Sequence, residues 1–297
     1  LSFSVIAQCL FFITFGALAD YGKNRKLGLI LCTAIGSLSC MLFLFVTDPH
    51  LYPLAAWLTI ISNICFGLSV VYYNAFLPIL VSFHPEVTSM SNSMEKIDEI
   101  ENFMSTVGFM FGYIAGFLGA VFGVVLQAVV GNEDNNRLGD RVTIFFAGLW
   151  WGGWSLWTFY YLGAHPGKRR PKLSEFVTVG WASTFSTIRH AASYPETMKF
   201  FIAYFFYSDA YTTVSSVGVL VMQQKLCMSS TALGVVILEV LLLASFGNLL
   251  LLKIQWRFKL ESKVIICIAL AGYLFLCLVG IIGLIPSSPV GLKQRAE

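Results

Sequence analysis

Charge is what this sequence has least of. Only 12% of its 297 residues are Asp, Glu, Lys or Arg, against roughly 25% in a soluble domain. With 57% hydrophobic residues and a mean hydropathy of +0.75, that deficit excludes a water-soluble globular domain. It points to a membrane protein with many spans, so the lipid bilayer is the first partner. The net charge of +3 is small, and no nucleic-acid partner is expected.

Catalytic signatures are missing too. There is no Walker lysine loop, GxSxG, HExxH or GxGxxG. The seven cysteines form no CxxC pair, and six of them (Cys9, Cys32, Cys40, Cys65, Cys267, Cys277) sit in apolar runs as small packing residues. The four histidines, His50, His84, His165 and His190, are scattered through loops. No metal, no cofactor and no enzymatic activity is therefore expected. The chain starts at Leu1 inside an apolar run, without the charged region of a signal peptide. It reads as a piece of a longer protein.

What is present is a series of long apolar runs. A span needs about 20 mainly apolar residues. The candidates are residues 3–19, 27–46, 52–81, 103–130, 142–162, 200–222, 232–252 and 264–285. No strand alternation appears, so the expected fold is an all-α membrane protein, a helical bundle with eight transmembrane helices. The larger share of the lysines and arginines falls on one side of it: in the first loop "DYGKNRK", around residues 168–199, and between the last two spans. The positive-inside rule makes that side cytosolic. Between residues 164 and 199 the chain is basic, then amphipathic. Leu173, Val177, Trp181, Phe185, Ile188 and Ala192 share one helical face, and Pro195 ends the pattern. A short helix in the cytosolic interface fits this, between an N-terminal set of spans at 1–163 and a second set at 200–297.

Several polar residues interrupt the spans. In "FFYSDAYTTV", Asp209, Thr212, Thr213 and Ser216 fall on one helical face, with Tyr204, Ser208, Tyr211 and Ser215 on the adjoining strip. A carboxylate facing lipid costs at least ~2.5–3.5 kcal/mol, so Asp209 is expected to face protein or a watered cavity. In the third span, Asn63, Gly67, Asn74 and Pro78 lie close to one side. Pro78 frees the carbonyl of Asn74. The break is either a structural kink or a polar site of the kind that discontinuous helices supply in transporters. Glu239 is a second intramembrane acid, with Asn248 nine residues on and read as within its reach. It is either a proton-coupling group or part of a helix-to-helix bond.

The small residues Gly108, Gly112, Gly116 and Ala120 repeat every four positions and suit close helix approach. Glycine–aromatic packing is expected of "GLWWGGW". In the first turn, "GALADYGKNRK", Asp20 ends a helix where the dipole disfavours it. Lys23, Arg25 and Lys26 are the nearby cations, and Gly16 and Gly22 permit close approach and a tight turn. The turn is either a solvated basic loop or a charge latch.

That turn resembles the cytosolic signature G-x-L-A-D-x-x-G-[RK]-[RK] of the major facilitator superfamily, with one residue fewer between Asp20 and Gly22. The shorter "ADYG" form is similar to the autophagy-related protein 22 family of vacuolar amino-acid effluxers. "YYNAFLPIL", "MSTVGFMFGYIAGF", "GLWWGGW", "TIRHAASYPETMKFFIAYFFYSDAYTTV" and "FGNLLLLKIQWRFKLESK" fit the same family in order along nearly the whole chain. Ala210 stands where that family usually has glycine.

The resemblance implies a bundle of twelve spans in two halves. Eight would be present here, lacking the first span and the last three. It also implies a vacuolar membrane location and export of neutral amino acids such as leucine. Tyr73, Asn74, Tyr207, Asp209, Thr212 and Thr213 are the expected substrate-lining residues. Gly16, Asp20, Arg25 and Lys26 form the expected gate, and Asp209 or Glu239 the coupling group. A carrier of another small polar solute and a non-transporting membrane scaffold are the alternatives.

Overall fold

A computed structural model describes residues 2–89, 94–131, 137–164, 167, 175–224 and 226–282. Among them the structure is helical, with no strand. In chain order the helices are α1 (Ser2–Gly16), α2 (Asn24–Leu42), α3 (Tyr52–Asn74), α4 (Leu77–Ser82), α5 (Pro85–Ser89), α6 (Met94–Val130), α7 (Leu138–Tyr161), α8 (Phe176–Ala192), α9 (Pro195–Gln224), α10 (Ser230–Phe258) and α11 (Ser262–Ile282). Within the described residues, every expected span falls mainly on helix. Among the described residues, five stretches are long and apolar enough to cross a membrane: Asn24–Phe45, Pro49–Ser82, Lys96–Val130, Ala232–Phe258 and Lys263–Ile282. The first apolar helix is shorter, and α7 and α9 have the length with a less apolar sequence. Helices suit this solvent because each satisfies its own backbone hydrogen bonds where no water can.

The core lies among α1, α2 and α3. Ala19, Leu29, Ile64, Leu68, Tyr72 and Phe76 are buried together, with Phe12, Phe15 and Cys32 packed against them. Glycines set the close approaches. A Cβ on Gly36 would strike the ring of Trp151, and one on Gly148 would lie 2.7 Å from the carbonyl oxygen of Ser37. The "GLWWGGW" segment thus lays its small residues and one indole against α2, the glycine–aromatic packing expected of it.

The second set of helices joins this core mainly through α10, which packs along α6. Gly116 of the small-residue repeat faces Leu241 of α10. The side chain of Asn248 donates to the carbonyl of Thr106 (3.2 Å). That bond corrects the expected pairing of Asn248 with Glu239. Nine residues place two side chains about half a turn apart on a helix, so Glu239 is exposed while Asn248 faces α6.

The amphipathic segment forms α8, which packs on α1 and the following turn. Its contact face is the small one. A Cβ on Gly180 would meet the backbone carbonyls of Ile13 and Thr14, and Ala191 is buried. Val177, Phe185 and Ile188, from the expected apolar stripe, are exposed. Leu173 lies outside the described residues. Pro195 does end this pattern, and it opens α9 as its first residue, where its missing N–H costs nothing.

Candidate functional site

The broken end of α3 is the best-defined polar feature of the spans. The helix stops at Asn74, two residues turn, and α4 resumes at Leu77. Phe76 N–H donates to Tyr73 (3.0 Å) and Leu80 N–H donates to Phe76 (3.0 Å). Pro78 has no N–H to offer the carbonyl of Asn74. The break is anchored on both sides. Tyr72 donates its hydroxyl to the carbonyl of Phe15 (3.1 Å), and Phe76 is only 2% exposed. Between these anchors Tyr73 and Asn74 are exposed. Tyr73 turns toward α6, where a Cβ on Gly108 would lie 3.4 Å from its hydroxyl.

The first turn holds an ion pair. Arg25 Nη2 lies 3.3 Å from Asp20 Oδ1. The arginine side chain is 12% exposed and the aspartate 63%. The same guanidinium sits over the ring of Phe76, 5.6 Å from its centroid. The ion pair and the helix break therefore share one buried phenyl ring. Gly22 makes the turn in the left-handed region at φ 58°, which a β-carbon would strain. The backbone N–H of Gly167 donates to the carbonyl of Gly22 (2.8 Å), tying the connection after α7 to this turn. Gly16 packs on Val71, and Lys26 is half-buried.

On α9 the expected site residues separate. Residues two apart differ by about 200° around a helix, so Asp209 points nearly opposite Tyr207. Asp209 and Thr212 lie with Phe201, Tyr204, Phe205 and Ser208 in an open groove of about 470 Å³ on one side of the helix. Thr213 is exposed beside them. Part of the polar stripe is satisfied locally, since Thr212 donates to the carbonyl of Ser208 and Ser215 to that of Tyr211, both at 2.9 Å.

The other side of α9 meets tyrosines that the sequence did not single out together. Tyr273 of α11 stands 6.4 Å from Tyr207 and 6.0 Å from Tyr211, centroid to centroid, with interplanar angles of 70° and 82°. A separate cleft of about 520 Å³ opens between α6, α7 and α10, with Gly119, Gly123, Gln127, Thr143, Trp150 and Gly234 on its walls. Gln127 is oriented there by donating to Asp140 (2.7 Å). Among the described residues no cluster of His, Cys, Asp or Glu is placed to hold a metal ion.

The sequence matches a known family. The sequence profile described as "Vacuole effluxer Atg22 like" matches residues 1–297. The chain belongs to this Atg22-like family. Similar curated proteins include autophagy-related protein 22-1 of Aspergillus clavatus, 29% identical, with 100% of this chain and 58% of the relative covered. Autophagy-related protein 22-1 of Penicillium rubens is 30% identical, with 100% and 59% covered. Autophagy-related protein 22 of Coccidioides immitis is 29% identical, with 100% and 57% covered. This Atg22-like chain thus spans a little under three-fifths of the length of those relatives. No solved structure matches it. Family membership and the apolar helices together make it a multi-pass protein of the vacuolar membrane.

Proposed function

We propose that the protein is a secondary transporter that exports small neutral amino acids, leucine-like, from the vacuole lumen to the cytosol by alternating access. Membership in the vacuole effluxer family supports export. The observation that carries the mechanism is the shared contact on Phe76. Arg25 rests on this ring while Asn74, two residues earlier, ends the broken helix. Opening the Asp20–Arg25 latch would then move the polar end of α3. Tyr73 and Asn74 line the solute path from the first half, and α9 lines it from the second. Gly16 and Lys26 complete the cytosolic gate.

Two faces of α9 offer a lining. One bears Asp209, Thr212 and Thr213, and the other bears Tyr207. Asp209 serves either as a partner of the substrate ammonium or as a proton carrier, and Glu239 is the other candidate for coupling. Leucine efflux from vesicles bearing the full-length protein tests both faces. Loss of flux in Asp209→Asn with retained flux in Tyr207→Leu selects the carboxylate face, and the reverse selects the tyrosine face. Unchanged flux in both variants removes α9 from the path. A full-length protein that folds and moves no amino acid would favour the scaffold reading.

A further inference from the structure

We propose that the cleft between α6, α7 and α10 is a binding site for a sterol of the surrounding membrane, held with its hydroxyl at Gln127 and its rings along α6. Such a site is independent of the transport reading above. It takes what the bilayer supplies, not what crosses it.

The cleft has a polar end and an apolar body. Its volume of about 520 Å³ falls within the roughly 300–1,000 Å³ of small-molecule sites. Both neighbours reach α6: a Cβ on Gly119 would lie 3.1 Å from Trp150 of α7, and one on Gly234 of α10 would lie 2.7 Å from Val124. The back wall is therefore α6, and α7 and α10 are the flanks. One flank carries the rings of Phe146 and Trp150, the other Ile237. Gln127 stands in the last turn of α6, near the membrane surface. Gly116, on the same wall, lies roughly 16 Å further along the helix.

The chemistry selects the guest. None of the described residues on the walls is charged. An amino-acid zwitterion would find no ionic partner there, and burial penalises both of its charges. The hydroxyl of Thr143 is committed to the carbonyl of Gly139 (2.8 Å). The amide of Gln127 is oriented, because a carboxylate only accepts and Asp140 takes the bond from its nitrogen (2.7 Å). That leaves the amide oxygen as an acceptor at the polar end, and a sterol hydroxyl is a donor. The open side continues the lipid-facing surface. Phe122, which meets both rings of the α7 flank, is exposed, and so is Ile237. A guest therefore enters from the bilayer. An acyl chain would fill the body and leave the oriented amide unused, whereas a sterol uses both and lays a flat face on the glycines of α6. Bound there, it would brace the seam between α6 and α10.

The test is photolabelling of the purified full-length protein in phosphatidylcholine nanodiscs with a diazirine-bearing sterol, mapped by mass spectrometry. Labelling of residues 116–127 and 143–150, which hold the α6 and α7 walls, should saturate and be competed by unlabelled cholesterol. Ala147→Phe sets a ring into the cleft from an exposed position. It should lower this labelling roughly tenfold or more, since a filled site has no room for the guest. Gln127→Leu keeps the volume and removes the acceptor. It should weaken competition by cholesterol roughly two- to tenfold and leave unchanged the weaker competition by cholesterol 3-methyl ether, which has no hydroxyl hydrogen. This variant carries the test if Ala147→Phe does not fold. Labelling that falls elsewhere, or that Ala147→Phe leaves in place, would overturn the site. So would a cleft that takes no label, which would mean that another segment of the full-length chain fills it. Labelling by a phosphatidylcholine with a diazirine in its acyl chain, undisturbed by cholesterol, would make the cleft an acyl-chain groove and overturn the sterol. Equal competition by cholesterol and its ether in wild type would overturn the placing of the hydroxyl at Gln127.

Discussion

The helices on either side of α8 are built differently. In α1–α3 and α7, most glycines lie where another side chain or backbone already occupies the space, Gly16 and Gly153 being the exceptions. A Cβ on Gly36 would meet Trp151, on Gly67 Phe12, and on Gly148 the Ser37 carbonyl. In α9–α11, Gly234 of α10 is crowded, against Val124 of α6, while Gly218, Gly247, Gly272 and Gly280 have nothing within 4 Å, and α9 has no buried residue. The first set is held by small-against-large contacts at fixed positions. The second hangs on one seam, between α6 and α10, and leaves long apolar surfaces outward. In a bilayer there is no hydrophobic drive between helices, so the difference comes from packing and interhelical bonds.

The strongest break in that contrast comes from alanine at paired glycines. Helix propensity alone favours Gly→Ala by roughly 0.8–1.0 kcal/mol. Gly148→Ala should go the other way, because its Cβ would meet backbone that cannot turn aside. The expected loss is about 1–3 kcal/mol in detergent unfolding of the full-length protein. Gly272→Ala should be neutral or stabilising. Equal behaviour of the two variants would erase the distinction between the two sets of helices.

Arg25→Ala comes next. It removes the partner of Asp20 and the cation over Phe76. The ion pair is largely open to solvent on the aspartate side, so it contributes no more than about 1 kcal/mol, and the ring contact adds roughly 0.5–1 kcal/mol. Unfolding should shift by about 1–2 kcal/mol, with Asp20→Asn losing less. A larger loss in Asp20→Asn would mean that the aspartate holds something other than Arg25.

The seam itself should respond weakly. Asn248→Leu removes the bond to Thr106, and an interhelical bond in a membrane averages roughly 0.6 kcal/mol. A loss of several kcal/mol would show that the second set depends on this one bond. Smallest of all is Asp209→Asn, which should leave unfolding unchanged because the carboxylate lies in an open groove. Any clear stability change there would place Asp209 against protein.

The break in the third span was legible because Pro78 acts locally, through its missing N–H. The Asp20–Arg25 pair was legible because five residues separate the partners. The split of Tyr207 from Asp209 was legible in principle from the helical angle. Which of the two meets another helix was not. Tyr273 gave no signal, as one tyrosine within an apolar run. Its meeting with Tyr207 and Tyr211 joins two helices that no spacing in the chain relates.

By itself the sequence determined that this is a helical membrane protein, roughly where its helices run, and where one of them breaks. These follow from apolar length and from backbone chemistry within a few residues. Only the tertiary structure decided which way each helix is turned. In water, an apolar stripe points to the core. In lipid the outer face is apolar too, so the pattern carries no inward direction. Rotation is then set by glycine-against-aromatic fits such as Gly36 on Trp151 and by single bonds such as Asn248 to Thr106.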